Sequence, residues 1–320
     1  MYQSMISIFV VIFLLSAIST AVLNILFRFF GKRGYLGNLY PNVRGGTPRA
    51  IGIVPFIILS FLFLPGYNDL ILIIGISALI DDIFGRRRLN FIDVEIGQLS
   101  RGIGMILVML VGFYNGYGIS SIFIALLIQP MNISDMQPGS ACMVTIIMSF
   151  ITIIMMLAIG TLPIDELPAI YTPLLVLVVC LAYCPLDFAG KIMLGEVGNH
   201  VFAVGLGVSF YLIGGLWWLI LFSIFTICFI AFVRRSILRV FFRHKMRLLD
   251  PTFGDYVMDV LTGGGLGDLI RKLILKDKQP EVRNELLISL GFRRLLFNPY
   301  ASHPKAFSDT KSIPSLKSGD

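Results

Sequence analysis

Charge is scarce in this chain: Asp, Glu, Lys and Arg make up 14% of 320 residues against 56% hydrophobic residues, a balance that excludes an ordinary soluble domain. Histidine is scarcer still, with three residues, and none stands at metal-ligand spacing with cysteine, so no zinc framework is expected. The four cysteines, Cys142, Cys180, Cys184 and Cys228, all fall in apolar segments. A disulfide has no evident purpose there, and they read as buried free thiols. The run Gly263-Gly264-Gly265-Leu266-Gly267 lacks the spacing and the lysine of a phosphate loop and reads as a hinge. No internal repeat of the kind found in secondary transporters appears. The first apolar run lacks a basic leader and carries Asn24 and Arg28 near its end, so it reads as a retained helix and not a cleaved signal.

What the chain has in abundance is apolar runs long enough for lipid, with a mean hydropathy of +0.85. They predict an all-α, polytopic membrane helix bundle of about nine spans, near 6–30, 50–64, 69–84, 101–114, 117–131, 140–160, 168–185, 199–213 and 215–233. A tenth span, reduced to the amphipathic stretch 267–297, is the alternative count. With the N-terminus outside, all 26 Lys and Arg fall in cytoplasmic loops, at cytoplasmic span ends or after residue 233. The outer connections then carry none, as the positive-inside rule requires. The net charge of +7 therefore belongs to one face and suits anionic headgroups or small phosphorylated ligands there; no nucleic-acid partner is expected. A plasma-membrane protein follows, organised as a membrane domain over 1–247, a cytoplasmic amphipathic helical region over 248–297, and a polar tail over 298–320 expected to be disordered. Within the first of these, the basic stretch Arg234 to Arg247, with its interleaved apolar residues, is expected to leave the membrane or lie on its surface.

Four polar clusters fall on the cytoplasmic side of this arrangement. The most informative is Asp81-Asp82, at the end of an apolar run. An ionised side chain at the bilayer centre costs roughly 2.5–3.5 kcal/mol, so such residues face water, protein or a metal. Two adjacent like charges also repel, and a divalent cation or cationic substrate would relieve them; a solvated helix end is the plainer alternative. The others are Arg44-Gly-Gly-Thr47-Pro48-Arg49, Asn132-Ile-Ser-Asp135, and Lys191 through Gly195-Glu196 to Asn199-His200. In the first of these, two arginines could hold phosphate oxygens bidentately while glycines let the backbone approach; as plain topological charges they would only mark the inner face. Hard oxygen donors and basic groups around glycine-rich edges suit magnesium and a pyrophosphate.

In order and spacing these clusters resemble the polyprenyl-phosphate N-acetylhexosamine-1-phosphate transferase superfamily over about residues 20–245. The matching elements are Arg44 with Gly46-Thr47-Pro48, the pair in Leu79-Ile80-Asp81-Asp82-Ile83-Phe84-Gly85, Asn132 with Asp135, and Lys191-Ile-Met-Leu-Gly195-Glu196-Val-Gly198-Asn199. The resemblance implies an enzyme that moves an amino-sugar 1-phosphate, with or without a peptide on the sugar, from a UDP-sugar to polyprenyl phosphate. UMP is released and a polyprenyl-diphosphate-linked envelope or glycan precursor is formed. It implies magnesium, with manganese as a substitute, held by Glu196 and Asp81. Asp81, Asp82 and Asp135 become the catalytic set, and Arg44, Arg49, Asn132, Lys191 and Asn199 the substrate-binding set. A homodimer is compatible with it.

The chain also departs from the family pattern. Glu196 stands for an aspartate, Asn199 for a serine, Met136 follows Asp135 where a glycine is usual, and the histidine-rich loop is reduced to His244. These departures keep open a relative that retains the fold but binds lipid or a partner without catalysis. A transporter or channel would instead cluster polar residues at mid-span. A CDP-alcohol phosphotransferase would carry a spaced Asp-Gly-x-x-Ala-Arg pattern, which is not found.

Overall fold

A computed structural model of the chain describes residues 2–43, 45–85, 87–89, 94–159, 167–246, 248–299 and 301. The described residues are helical apart from turns, loops and one two-residue antiparallel pairing of Arg88–Leu89 with Val94–Glu95. Helix is what lipid demands of an apolar run, because the backbone must satisfy its own hydrogen bonds where no water is present. The chain divides into two compact units, Met1–Thr226 and Ile227–Asp320.

The first unit contains α1 (Tyr2–Lys32), α2 (Ile53–Leu62), α3 (Asn68–Phe84), α4 (Ile96–Gly112), α5 (Ser120–Leu126), α6 (Ile128–Ser134), α7 (Ser140–Ile159), α8 (Leu167–Phe188), α9 (Gly195–Gly214) and the start of α10 (Leu216–Val233). Among the described residues six helical segments are long and apolar enough to cross a membrane: Ile6–Lys32, Ile96–Tyr117, Ser140–Ile159, Ala169–Phe188, Gly195–Gly214 and Leu216–Val233. The nine apolar runs in the sequence include three whose helices are shorter. The ten residues of α2 rise only about 15 Å against a hydrocarbon core of about 30 Å. In α3, 17 residues carry Asp69, Asp81 and Asp82. The apolar helix Ser120–Ser134 is likewise short. Apolarity and helix length thus part company where Gly and Pro interrupt a run.

At the centre of this unit lies α9, which packs against α2, α3, α5, α6, α7 and α8. Of its most apolar window 83% is buried, against 17% for α1, which leaves most of its surface to lipid. Small residues permit the close packing. A Cβ on Gly52, at the start of α2, would stand 2.4 Å from the Gly198 Cα of α9. Cys142, Cys180 and Cys184 are buried free thiols, and Cys228 is a half-buried one.

The second unit holds the end of α10, then α11 (Arg235–Lys245), α12 (Phe253–Thr262), α13 (Gly265–Leu275), α14 (Glu285–Ser289) and α15 (Phe292–Leu295). A capping box starts α12, with the Thr252 hydroxyl accepting from the Asp255 amide and the Asp255 carboxylate accepting from the Thr252 amide. Two buried ion pairs join α12 to α15: Arg293 Nη2 to Asp255 Oδ2 at 2.7 Å and Arg294 Nε to Asp259 Oδ1 at 2.5 Å. Arg271 of α13 pairs with Asp268, and burial and then the nearby Arg294 charge pull its guanidinium below the ordinary value while Asp268 opposes them. The glycine run ends α12 at Gly263, and Gly264, at φ 79°, precedes α13.

The amphipathic pair expected over 267–297 is realised as α13 and two short helices. A stretch through Pro280 without regular structure separates them, because proline there cannot continue a helix. Asn298 is fully buried, and its amide donates to the carbonyls of Lys276 and Lys278, so folded structure continues past residue 297. The rest of the expected tail, at 300 and 302–320, lies outside the described residues.

Candidate functional site

The first N–H groups of any helix lack intrahelical partners. At the start of α9 they find one in Asp82 of α3, whose Oδ1 accepts from the Glu196 amide (3.1 Å) and whose Oδ2 accepts from the Val197 amide (3.0 Å). A carboxylate at a helix N-terminus is also favoured by the helix dipole. Gly195 makes the approach possible: its φ is +70°, and a Cβ there would lie 2.6 Å from Asp82 Oδ2 and 2.9 Å from the Ala50 Cα. Asp82 also receives Arg49, whose Nε lies 3.0 Å from Oδ1. The backbone fixes Arg49 in turn. Met193 N donates to Pro48 O, Ile51 N to Met193 O and Gly52 N to Leu194 O, which ties the segment before α2 to the segment before α9.

Asp81 faces a second arginine. Arg101 of α4 sends Nη2 to Asp81 Oδ2 (3.0 Å) and to Glu196 Oε2 (2.8 Å). Glu196 gathers the rest. Arg49 Nη2 lies 3.5 Å from its Oε1, and His200 Nε2, one turn further along α9, 3.3 Å from its Oε2. In the amide orientation its neighbours dictate, Asn132 of α6 donates to Glu196 Oε2 (2.9 Å) and accepts from Arg101 Nη1 (2.6 Å). Beside this network Asn199 Nδ2 donates to Asp135 Oδ2 at 3.0 Å.

Seven of the residues singled out in the sequence therefore meet around the start of α9: Arg49, Asp81, Asp82, Asn132, Asp135, Glu196 and Asn199. Lys191 does not join them through its side chain. It is exposed, and its carbonyl accepts from Arg28 Nη2 at 2.6 Å. Arg44 lies outside the described residues. The site set drawn from the sequence omitted two members of the network, Arg101 and His200. Arg101 carries no local signal, because in the sequence it stands at the edge of the apolar run 101–114 as one more inner-face charge; only the start of α4 at Ile96 puts it more than a turn inside a helix.

The arrangement places two guanidinium groups among three carboxylates with little water. Side-chain exposure is 0% for Asp82, 10% for Asp81, 14% for Glu196 and 12% for Arg101. Buried charges survive only when paired, and here the pairing is shared: Arg101 serves two carboxylates, and Glu196 meets two arginines, a histidine and an amide. Asn199 Oδ1 and His200 Nδ1 are buried at the same place without a hydrogen-bond partner. Buried polar atoms without partners are rare and tend to mark functional positions.

Among the described residues no group of three or more His, Cys, Asp or Glu side chains is arranged to hold a metal ion. Magnesium asks for less, since it commonly takes one or two carboxylates and completes its shell with substrate phosphates and water. Asp81 and Glu196 meet that requirement in donor chemistry, and the Arg101 guanidinium already stands between them as a cation. Both oxygens of Asp82 are engaged by backbone amides and Arg49, which ties that carboxylate to the start of α9. The chain matches no protein-family model, and comparison with curated proteins likewise gives no match.

Proposed function

We infer that the chain is a membrane phosphotransferase of the polyprenyl-phosphate aminosugar-1-phosphate type, with nine membrane-embedded helical segments, an outer N-terminus and a cytoplasmic active face in the plasma membrane. One observation supports this reading above the others. Five segments scattered between residues 48 and 200 converge on one cluster of carboxylates and guanidinium groups beside the N-terminus of a buried helix. Phosphoryl transfer needs chiefly positioning and neutralisation of charge, and such a cluster supplies both. The three short helices α2, α3 and α5–α6 fit the nine-segment count if neighbours and local bilayer thinning complete their passage.

In the reaction a phosphate oxygen of the lipid forms a bond to the β-phosphorus of the UDP-sugar. The bond from that phosphorus to the bridging oxygen breaks, and UMP leaves with the electron pair. Arg49 and Arg101 are the groups that neutralise and orient the diphosphate, the guanidinium fork matching phosphate geometry. Asp82 holds the start of α9 and Arg49 in register. Asn132 and Asn199 present amides to the substrate's polar edge, and Asp135 orients Asn199. Asp81 and Glu196 would hold magnesium, or manganese in its place, which when bound supplies positive charge to the pyrophosphate.

A second reading is a non-catalytic relative that binds lipid or a partner. It is favoured by the engagement of both Asp82 oxygens by backbone amides and Arg49, which commits most of that carboxylate's accepting capacity to the protein itself. Purified protein in mixed micelles with polyprenyl phosphate and a panel of UDP-amino sugars separates the two. UMP release that requires both substrates and is abolished by chelation supports the transferase; no release with any sugar, while polyprenyl phosphate still binds, supports the relative. Arg49→Lys then tests the binding role, because lysine keeps the charge but loses the fork: UDP-sugar affinity falls about tenfold if the pair is bidentate. Unchanged affinity leaves Arg49 as a structural partner of Asp82.

A further inference from the structure

Outside the membrane unit, α13 carries an apolar stripe that nothing described covers. Ile270, Leu273 and Ile274, at i, i+3 and i+4, are 48%, 69% and 72% exposed. The stripe is not an accident of a loose helix, because the rotation of α13 is set from its other side. Arg271 is buried and donates to the Thr262 carbonyl at the end of α12 (2.9 Å) and to Asp268. With Arg271 held inward, Leu273 and Ile270 fall on the far side of the helix and Ile274 beside them is the most exposed of the three, and large exposed apolar residues at helical spacing mark an interaction surface.

Charge and connectivity say what covers it. Lys276 and Lys278, at the C-terminal end of the stripe, are exposed. In the same unit α11 turns Arg235, Arg239 and Arg243 outward while Leu238 and Phe242 are buried, so its free face is basic. That helix follows α10, an apolar helix of membrane-spanning length, after the single residue Arg234. The links from there to α13 are short. Arg234 lies within electrostatic reach of Asp259 on α12, Phe242 of α11 packs on Tyr256 of α12 at 5.2 Å between ring centroids, and α12 holds Arg271. The stripe is therefore carried by a compact body that includes the end of a membrane helix, and its free basic groups match an anionic leaflet.

We propose that α13 docks on the bilayer itself, laying Ile270, Leu273 and Ile274 into the headgroup boundary of an anionic leaflet with Lys276 and Lys278 at the edge. The energetic logic is that of an interfacial amphipathic helix, in which buried apolar area and attraction to anionic lipid add. The docking holds whether or not the chain is a transferase. Its consequence is that lipid composition sets how firmly α13 is held at the leaflet.

The full chain carrying Cys228→Ala, with its other three thiols buried, takes a single fluorophore at Leu273→Cys, at Ile274→Cys or, as a control, at Glu281→Cys. In vesicles of phosphatidylcholine and phosphatidylglycerol, a lipid bearing a spin label near the headgroup quenches positions 273 and 274 at least about threefold more than 281. The difference shrinks in pure phosphatidylcholine and in high salt. Equal quenching at all three positions overturns the proposal. So does concentration-dependent cross-linking through Leu273→Cys without quenching, which would give the stripe to a second copy of the chain. A measurement free of substitutions guards against misfolding: amide exchange over 265–275 in the unaltered chain slows in phosphatidylglycerol nanodiscs relative to phosphatidylcholine, and no slowing overturns the proposal as well.

Discussion

The membrane unit and the second unit each bury carboxylates against arginines, but they wire them differently. In the second unit the closest contacts are pairwise: Asp255 meets Arg293 and Asp259 meets Arg294, with Arg234 and Arg271 within electrostatic reach of Asp259, and Asp255 also closes the capping box of α12. In the membrane unit it is shared, with Arg101 between Asp81 and Glu196 and with Glu196 approached by Arg49 and His200 as well. A close buried pair has little slack: removing either partner leaves a charge that only more distant groups compensate. A shared cluster can lose or exchange one contact while others screen the remainder. The first wiring suits architecture, and the second suits a site whose charges must rearrange around a ligand.

The sharpest way to break this comparison is at Arg294. Its side chain is 3% exposed and lies on Asp259, so Arg294→Met takes the closest partner from a buried carboxylate and leaves it only the more distant Arg234 and Arg271. The second unit should lose about 3–5 kcal/mol of stability, while the double variant with Asp259→Leu recovers most of it. Thermal unfolding, together with limited proteolysis after residue 247, reads this directly. A single variant that unfolds like the parent would mean the pair is not an architectural one.

In the shared cluster the balance should reverse. Glu196→Gln keeps the shape but removes the charge on which Arg49, Arg101 and His200 converge and turns one accepting oxygen into a donor. Turnover in the UMP-release assay should fall about 10²–10³-fold, in the range of about 2.7–4 kcal/mol for loss of a positioned electrostatic group. The unfolding temperature should move much less than for Arg294→Met. Near-parental turnover in a folded Glu196→Gln protein would sink the proposed role, whereas a collapse in stability would show that the cluster is architecture after all.

How far the sequence announced these two networks follows from their wiring. Composition alone gave the helical membrane character, because an excess of apolar residues and a dearth of charge leave lipid as the only solvent. The clusters at Asp81-Asp82, Asn132-Asp135 and Glu196-Asn199 stood out because polar residues at the edge of apolar runs are expensive and conspicuous. Arg101 did not, since its partners Asp81 and Glu196 are 20 and 95 residues away, and nothing local distinguishes it from an inner-face charge. For the same reason the pairs of the second unit were hidden: Asp255 and Arg293 are 38 residues apart, Asp259 and Arg294 35. The difference between nine apolar runs and six helical segments of spanning length among the described residues has a different cause. Apolar runs register hydrophobicity, whereas α2 stops at Leu62, short of Pro65-Gly66, and α3 carries three aspartates.

A smaller effect is expected where the backbone brings the shared cluster together. Gly195 holds φ at +70° with Asp82 and Ala50 against the place a Cβ would take. Gly195→Ala should cost about 1–3 kcal/mol for a non-glycine residue held in that region. Because the capping contact of Asp82 would shift with it, turnover should fall together with stability. That joint loss separates Gly195 from Glu196, where turnover falls nearly alone. Retention of both properties would show that the start of α9 tolerates displacement and that Asp82 does not fix it.

The smallest effect calibrates the others. Arg283 and Glu281 form the same kind of contact, 2.7 Å from nitrogen to oxygen, but with side chains 85% and 55% exposed. Water and salt screen such a pair, and holding two long side chains in one geometry costs entropy that offsets most of the gain. Arg283→Ala should therefore change the stability of the second unit by no more than about 1 kcal/mol, and less at high ionic strength. The chemistry matches that of Arg294 with Asp259, so the difference between the two variants isolates burial as the cause. An Arg283→Ala loss as large as that of Arg294→Met would mean that this pair is covered in the working protein. The stretch around 281–283 would then be buried against something, and its use as the exposed control for the docking of α13 would have to be abandoned.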